Sequence, residues 1–149
     1  MKLTLDDLVS DHLGNDVVEG LIVYRGHDYM DKRTIKHLVS NTSGIPDYFF
    51  HKQPDGTTSA DALLKGHDTA WTFEQTIDNV KTLKPKFYPG QKRKAASSDT
   101  NYTLLGAIIE KVTGKSFSEA LEIYIFNPLR LKDTYGYLDP HDTSVCVFY

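Results

Sequence analysis

A single cysteine, Cys146, leaves this 149-residue chain with no internal disulfide to form, so cysteine usage says nothing for an oxidising compartment. Cys146 itself reads as a small apolar residue in a C-terminal apolar run. No stretch approaches the roughly 20 apolar residues that a membrane-spanning helix needs. The N-terminal Met1-Lys2-Leu3-Thr4-Leu5-Asp6-Asp7 turns acidic at once, without the apolar region of a signal peptide. No cellular location follows. Positive charge is not in excess either: 17 Lys and Arg against 20 Asp and Glu give a net charge of -3. That balance removes the electrostatic case for nucleic acid or an anionic membrane as partner. The six histidines are scattered, with no His-Glu-x-x-His and no paired cysteines, so no metal site is expected and no cofactor is implied. Gly-rich phosphate loops, internal repeats, linkers and low-complexity segments are missing as well.

The remaining composition, 40% apolar and 25% charged, is that of an ordinary folded domain, and the length suits one domain with a real core. Leu3, Leu5, Val9 and Leu13 suggest a short helical turn closed by Gly14. Leu21-Ile22-Val23-Tyr24 is too short to classify by period. Thr34 suits the N-cap of a helix through Ile35, Leu38 and Val39 that Ser43-Gly44 and Pro46 stop. Residues 51–70 are mostly polar, with Pro54-Asp55-Gly56 as a turn signal, and read as a loop with room for one helical turn. Thr72 with Gln75 forms a capping box ahead of Phe73, Ile77 and Val80 on one helical face, and Pro85 ends that helix. Tyr102, Leu105, Ile108, Ile109 and Val112 outline the strongest amphipathic helix, ended by Gly114. Ser116 with Glu119 opens another helix through Phe117, Leu121, Tyr124 and Ile125 until Pro128. Tyr102, Phe117 and Tyr124 recur at helical spacing and are expected in the core. The spacing therefore predicts helices over 33–42, 72–83, 99–113 and 116–127 and little strand, in one mainly α unit spanning 1–149. A strand could begin at Val145-Cys146-Val147-Phe148-Tyr149.

One stretch carries more than local structure. Pro89-Gly90, Ser98-Asp99-Thr100-Asn101-Tyr102, Leu104-Leu105-Gly106, Thr113-Gly114 and Pro128-Leu129 follow one another in fixed order. This arrangement resembles the segment after Pro-Gly in the serine β-lactamase-related family: class C β-lactamases, penicillin-binding proteins, D-alanyl-D-alanine carboxypeptidases and related esterases. The run Thr34-Ile35 to Ile45-Pro46 is similar to the same family's helix ending in His-Thr-Ser-Gly, with Asn41 at the His position. The resemblance implies the helical lobe of an α+β β-lactamase/penicillin-binding-protein-like fold, lacking most of its sheet. It also implies a serine hydrolase that transfers acyl groups from amide, β-lactam or ester carbonyls.

Family chemistry needs an attacking Ser in Ser-x-x-Lys, a Tyr-x-Asn element and a late Lys-Thr-Gly or His-x-Gly strand, because a serine hydroxyl is a poor nucleophile without a neighbouring base. In this chain no lysine has a Ser three residues before it, no Tyr is followed two residues later by Asn, and Lys-Thr-Gly is absent. His12-Leu13-Gly14 matches His-x-Gly at the wrong end of the chain, where a helix-ending Gly explains it better. By the family's layout, the Ser-x-x-Lys helix would precede Lys2 and the late strand would follow Tyr149. No intact catalytic residue is therefore expected. The family's Tyr falls on Ser97 and the third position of its element on Asp99. Both are candidate pocket positions, although small polar residues ahead of a helix also suit N-capping. Lys84, Lys86, Lys92, Arg93 and Lys94 cluster around Phe87 and Tyr88. They could contact phosphate but read more simply as a solvated loop. The expected product is a truncated or decayed hydrolase, inactive alone and able to take a small-molecule acyl substrate only if complemented. The alternative is a non-catalytic helical binding module, or one half of a split hydrolase, that self-associates through uncovered apolar surface. A third, lesser reading keeps weak esterase activity through another serine.

Overall fold

The structure is a computed structural model that describes residues 3–52, 55–66, 71–87 and 91–134. Pro54, residues 67–70, Tyr88, Pro89-Gly90, Tyr137 and the apolar run at 145–149 with Cys146 lie outside the described residues. The chain divides into two compact units at Ile108 and Ile109.

In the first unit, Val9–Asp11 forms a 3₁₀ turn and Asn15–Val18 a one-turn helix, α1. Gly14 does not end a helix as expected: its φ is -63° and it opens α1. A C′ glycine needs the left-handed region. Here the residue makes room instead, since a Cβ would stand 2.3 Å from the Asp16 carboxylate. The undecided run at 21–24 splits. Leu21 and Ile22 are buried, whereas Val23–Tyr24 is strand β1, paired antiparallel with His27–Asp28, β2. Arg25 and Gly26, both at positive φ, make the two-residue hairpin turn between them.

A 3₁₀ turn at Met30–Lys32 leads to α2, Ile35–Val39, with Thr34 at its N-cap as expected. The N-terminal segment lies alongside this entry through backbone bonds from Val9 to Arg33, Ile35 to Asp7 and Lys36 to Leu5. His37 takes the place usually held by Glu, its Nδ1 accepting the Thr34 N–H at 3.1 Å. Burial, reinforced by Arg33 and Lys36, holds its pKa below the ordinary 6.5. A depressed base binds its proton less tightly folded than unfolded. Its contribution is therefore complete above the ordinary value and is lost as pH falls towards the folded one. His37→Gln is expected to flatten the fall in thermal midpoint between about pH 7 and pH 5. An unchanged slope in the variant would contradict this.

Residues 51–70 hold more helix than expected: Ser59–Leu64 is α3, with a capping box between Thr58 and Asp61. Asp replaces the usual Glu or Gln in that box, which hides it from the ordinary pattern. Phe73–Lys81 is α4, with its Thr72–Gln75 box in place and Ile77 and Val80 buried. Asp99–Thr113 is α5. Its buried positions are Thr100, Asn101, Leu104 and Ile108, so the helix is turned from the apolar face that the sequence suggested. The first unit's core gathers Val9, Leu21, Ile22, Leu38, Ile45, Val80 and Leu104.

In the second unit, Gly114 closes α5 at positive φ and Ser116–Glu119 caps α6, Phe117–Leu121. The helix does not stop at Pro128. A π turn at Glu122–Phe126 continues into α7, Asn127–Leu129, and Arg130 ends it in the left-handed region. Proline normally clashes with the carbonyl four residues before it, and the wider i→i+5 turn just upstream relieves that contact. The expectation that Tyr102, Phe117 and Tyr124 are core is overturned: they are 55%, 42% and 63% exposed. Helical spacing marks a shared face but does not say what covers it. Ile123, Ile125, Leu129 and Leu131 are exposed beside them in sequence.

Candidate functional site

The segment after α2 and the first turn of α5 are joined by a buried polar network. Asn41 stands just past α2 at a φ of 55°, a conformation that Asn tolerates better than most residues. Its backbone carbonyl accepts the Ala96 N–H at 2.9 Å. Its Oδ1 accepts the Ser98 N–H at 3.3 Å and Asn101 Nδ2–H at 2.9 Å. The Ser43 hydroxyl donates to Asn101 Oδ1 at 2.7 Å and accepts the Ile45 N–H. Between them Gly44 sits at a φ of +84°, a backbone conformation that other residues adopt only with strain. Pro46 offers no N–H but uses its carbonyl twice, accepting from Thr100 Oγ1 at 2.8 Å and Ser98 Oγ at 3.1 Å.

Asp47 completes the join. Only 2% exposed, it accepts the Phe49 and Phe50 N–H groups on Oδ1, at 2.8 and 2.6 Å, and the Asp99 N–H on Oδ2 at 2.7 Å. The first turn of a helix leaves its N–H groups without intrahelical partners and carries partial positive charge. Asp47 thus caps α5 from a different part of the chain. The Tyr48 N–H adds a bond to Thr100 Oγ1 at 3.2 Å.

The two candidate positions sit differently. Ser97 is exposed, and among the described residues its hydroxyl has no hydrogen-bond partner, so it neither caps α5 nor contacts a base. Asp99 is exposed as well. Burial of its carboxyl, and then the Asp47 carboxylate nearby, raise its pKa above the ordinary 3.8. Burial raises the Tyr48 phenol too, followed by Asp99 and then Asp47. Asp99 therefore borders Asp47 and Tyr48, while Ser97 turns to the surface between Ala96 and Ser98, whose backbones Asn41 holds. Asn41, Ser43, Asp47 and Asn101, which build this wall, were not singled out from the sequence as site residues. Asn41, Ser43 and Asn101 lie inside the two runs that carry the family resemblance, but nothing in the sequence joins those runs, because the bonds that unite them span 52 to 60 residues.

The basic loop reads as expected, with Lys84, Lys86 and Lys92 to Lys94 exposed. Lys92, Arg93 and Lys94 border a surface cleft of about 450 Å³ with His37 and Thr42. Among the described residues no group of three or more His, Cys, Asp or Glu could hold a metal ion, and no helix is long and apolar enough to cross a membrane.

Residues 1–146 match the family model described as Beta-lactamase. The chain belongs to the β-lactamase family. It is 31% identical over 107 residues to penicillin-binding protein 4* of Bacillus subtilis (strain 168), which covers 70% of this chain and 21% of that protein. Among solved structures it resembles a D-stereospecific amidohydrolase from Streptomyces sp., with a TM-score of 0.64 and 33% identity over 87% of this chain and 36% of that one. It also shares the fold of EstCE1, a hydrolase with promiscuous acyltransferase activity. There the TM-score is 0.62 and the identity 24%, over 86% of this chain and 32% of that one. The chain thus spans about a fifth to a third of the length of these relatives. Its helices, with one two-stranded hairpin among the described residues, form a helical portion of the β-lactamase-like hydrolase fold.

Proposed function

We propose that this β-lactamase-family chain supplies the helical lobe and one pocket wall of a serine acyl-transfer site and does not turn over substrate by itself. The observation that carries the reading is the anchoring of Ser98 to Asn101 by Asn41, Ser43, Pro46 and Asp47. A motif wall held by buried hydrogen bonds persists in a chain without Ser-x-x-Lys and with Ser97 where the family has Tyr. Small-molecule amides, β-lactams or esters are its substrates only when the nucleophile helix and the late strand are supplied. The names of the relatives, a penicillin-binding protein and an amidohydrolase, support amide-like carbonyls as the class. The experiment is reconstitution: the Ser97→Tyr chain refolded with a polypeptide carrying the family's Ser-x-x-Lys helix and late strand should hydrolyse a chromogenic ester. A folded, assembled complex without activity would refute the reading.

A second reading, a helical binding module or partner half of a split hydrolase, is favoured by the uncovered apolar side chains around α6 and α7. Phe117, Ile123, Tyr124, Ile125, Leu129 and Leu131 are all exposed. Apolar patches beyond a few hundred Å² mark interfaces or association-prone surface. The chain is expected to self-associate and to bind a hydrophobic dye, as seen by light scattering and dye fluorescence. Leu129→Lys with Tyr124→Lys should reduce both. A monomer that leaves the dye dark would remove this reading.

A further inference from the structure

Immediately after Asp47 the chain places three aromatics in a row, Tyr48, Phe49 and Phe50, and brings Trp71 against them. The Tyr48 and Phe49 rings meet edge-on at 6.1 Å, Phe49 and Phe50 at 5.0 Å, and Tyr48 and Trp71 tilt together at 6.4 Å. Such distances are those of favourable aromatic packing. The cluster is not a closed core: Phe50 is 62% and Trp71 43% exposed. It also stands beside negative charge. Asp47 holds the Phe49, Phe50 and Asp99 backbones on one carboxylate, so the aromatic run and Asp99 are tied to a common anchor. Among the described residues neither Asp47 nor Asp99 forms an ion pair with Lys, Arg or His.

We propose that this aromatic face and Asp99 together form a recognition subsite for a small organic cation, a protonated amine carried on an aryl or similarly apolar body. The ring faces attract a cation through their quadrupoles, and the exposed carboxylate adds a direct partner for the ammonium. A neutral or anionic ligand of the same shape gains the apolar contact alone, and an anion is repelled. The pocket wall thereby selects amine-bearing acyl substrates over carboxylate-bearing ones. This specificity rests on the acyl-site reading, but the binding it requires does not.

Trp71 is the only tryptophan of the chain, so its emission reports on the face directly. Titration with phenethylamine hydrochloride is compared with 2-phenylethanol, its neutral analogue, and calorimetry repeats both where emission does not change. The amine is expected to bind on the order of tenfold more tightly than the alcohol at low salt. Added sodium chloride should erode that preference, and Asp99→Asn should cut it severalfold while leaving the alcohol unaffected, the ring faces keeping the remainder. Phe50→Ala should weaken both ligands. Equal affinity for the two ligands, or an amine preference that Asp99→Asn leaves undiminished, would overturn the proposal. An inactive reconstituted enzyme whose aromatic face still prefers the amine would instead sink only the acyl-transfer reading.

Discussion

Asp47→Ala is expected to cost about 3–5 kcal/mol of folding stability, read as a lower urea midpoint by circular dichroism. The substitution removes a buried carboxylate that accepts three backbone N–H groups, from Phe49, Phe50 and Asp99. Hydrogen bonds to a charged acceptor are each worth about 1.5–3 kcal/mol, but three on one group do not add in full. The loss also removes one of the negative charges, beside that of Asp99, that face the N-terminus of α5 and its dipole. A domain of this size has only about 5–15 kcal/mol in total, so about a fifth or more of its stability rests on one side chain. Asp47→Asn should fall between, at about 1–3 kcal/mol, because its NH₂ must face at least one donor in place of an acceptor. An Asp47→Ala midpoint equal to that of the parent chain would mean that water satisfies all three N–H groups. The cap would then be dispensable.

Incubation with a β-lactam or fluorophosphonate probe should leave the intact mass of the chain unchanged. Removing the attacking serine of an acyl-transfer site lowers turnover by on the order of 10⁶, and the members of such a site act as a unit. Without Ser-x-x-Lys, the further lack of Tyr at position 97 therefore adds little, and restoring it alone recovers little. Ser97→Tyr by itself is expected to be as inert as the parent. The placement of Ser97 agrees with this chemistry. Its exposed hydroxyl has no base within hydrogen-bond reach among the described residues, and an unassisted hydroxyl does not attack a carbonyl at neutral pH. Intact-protein mass spectrometry decides the matter. A stoichiometric adduct on any serine of the parent chain would replace the pocket-wall reading with weak esterase activity.

Local chemistry made several elements legible in advance. Thr34, Thr72 and Ser116 each hold a side-chain acceptor at the position where a helix leaves its first N–H groups unpaired. The helices they open begin at Ile35, Phe73 and Phe117. Asp99–Thr113 has the expected bounds, with its glycine stop encoded within one turn, although the cap at its start comes from Asp47 far along the chain. The ordered run from Ser98 to Gly106 likewise carried the family, since order and spacing survive even where the catalytic Tyr does not.

Other features depended on residues far along the chain. Which side of α5 is buried could not be read from Tyr102, Leu105 and Ile109. Thr100 and Asn101, polar and formally solvent-facing, are fully buried because Pro46, Ser43 and Asn41 satisfy them. Burying a polar side chain costs free energy unless a hydrogen bond replaces those it gives up in water. Those replacements come from 52 to 60 residues away and leave no periodic trace. The amino-acid order by itself determined where the main helices start, and to which family they belong, because caps and motifs act within a few residues. Only the tertiary structure decided that Asp47 caps α5 and that Ser97 stands outside the polar network. It likewise set Tyr48, Phe49, Phe50 and Trp71 together as one face, because each depends on the long-range closure of one loop against one helix end.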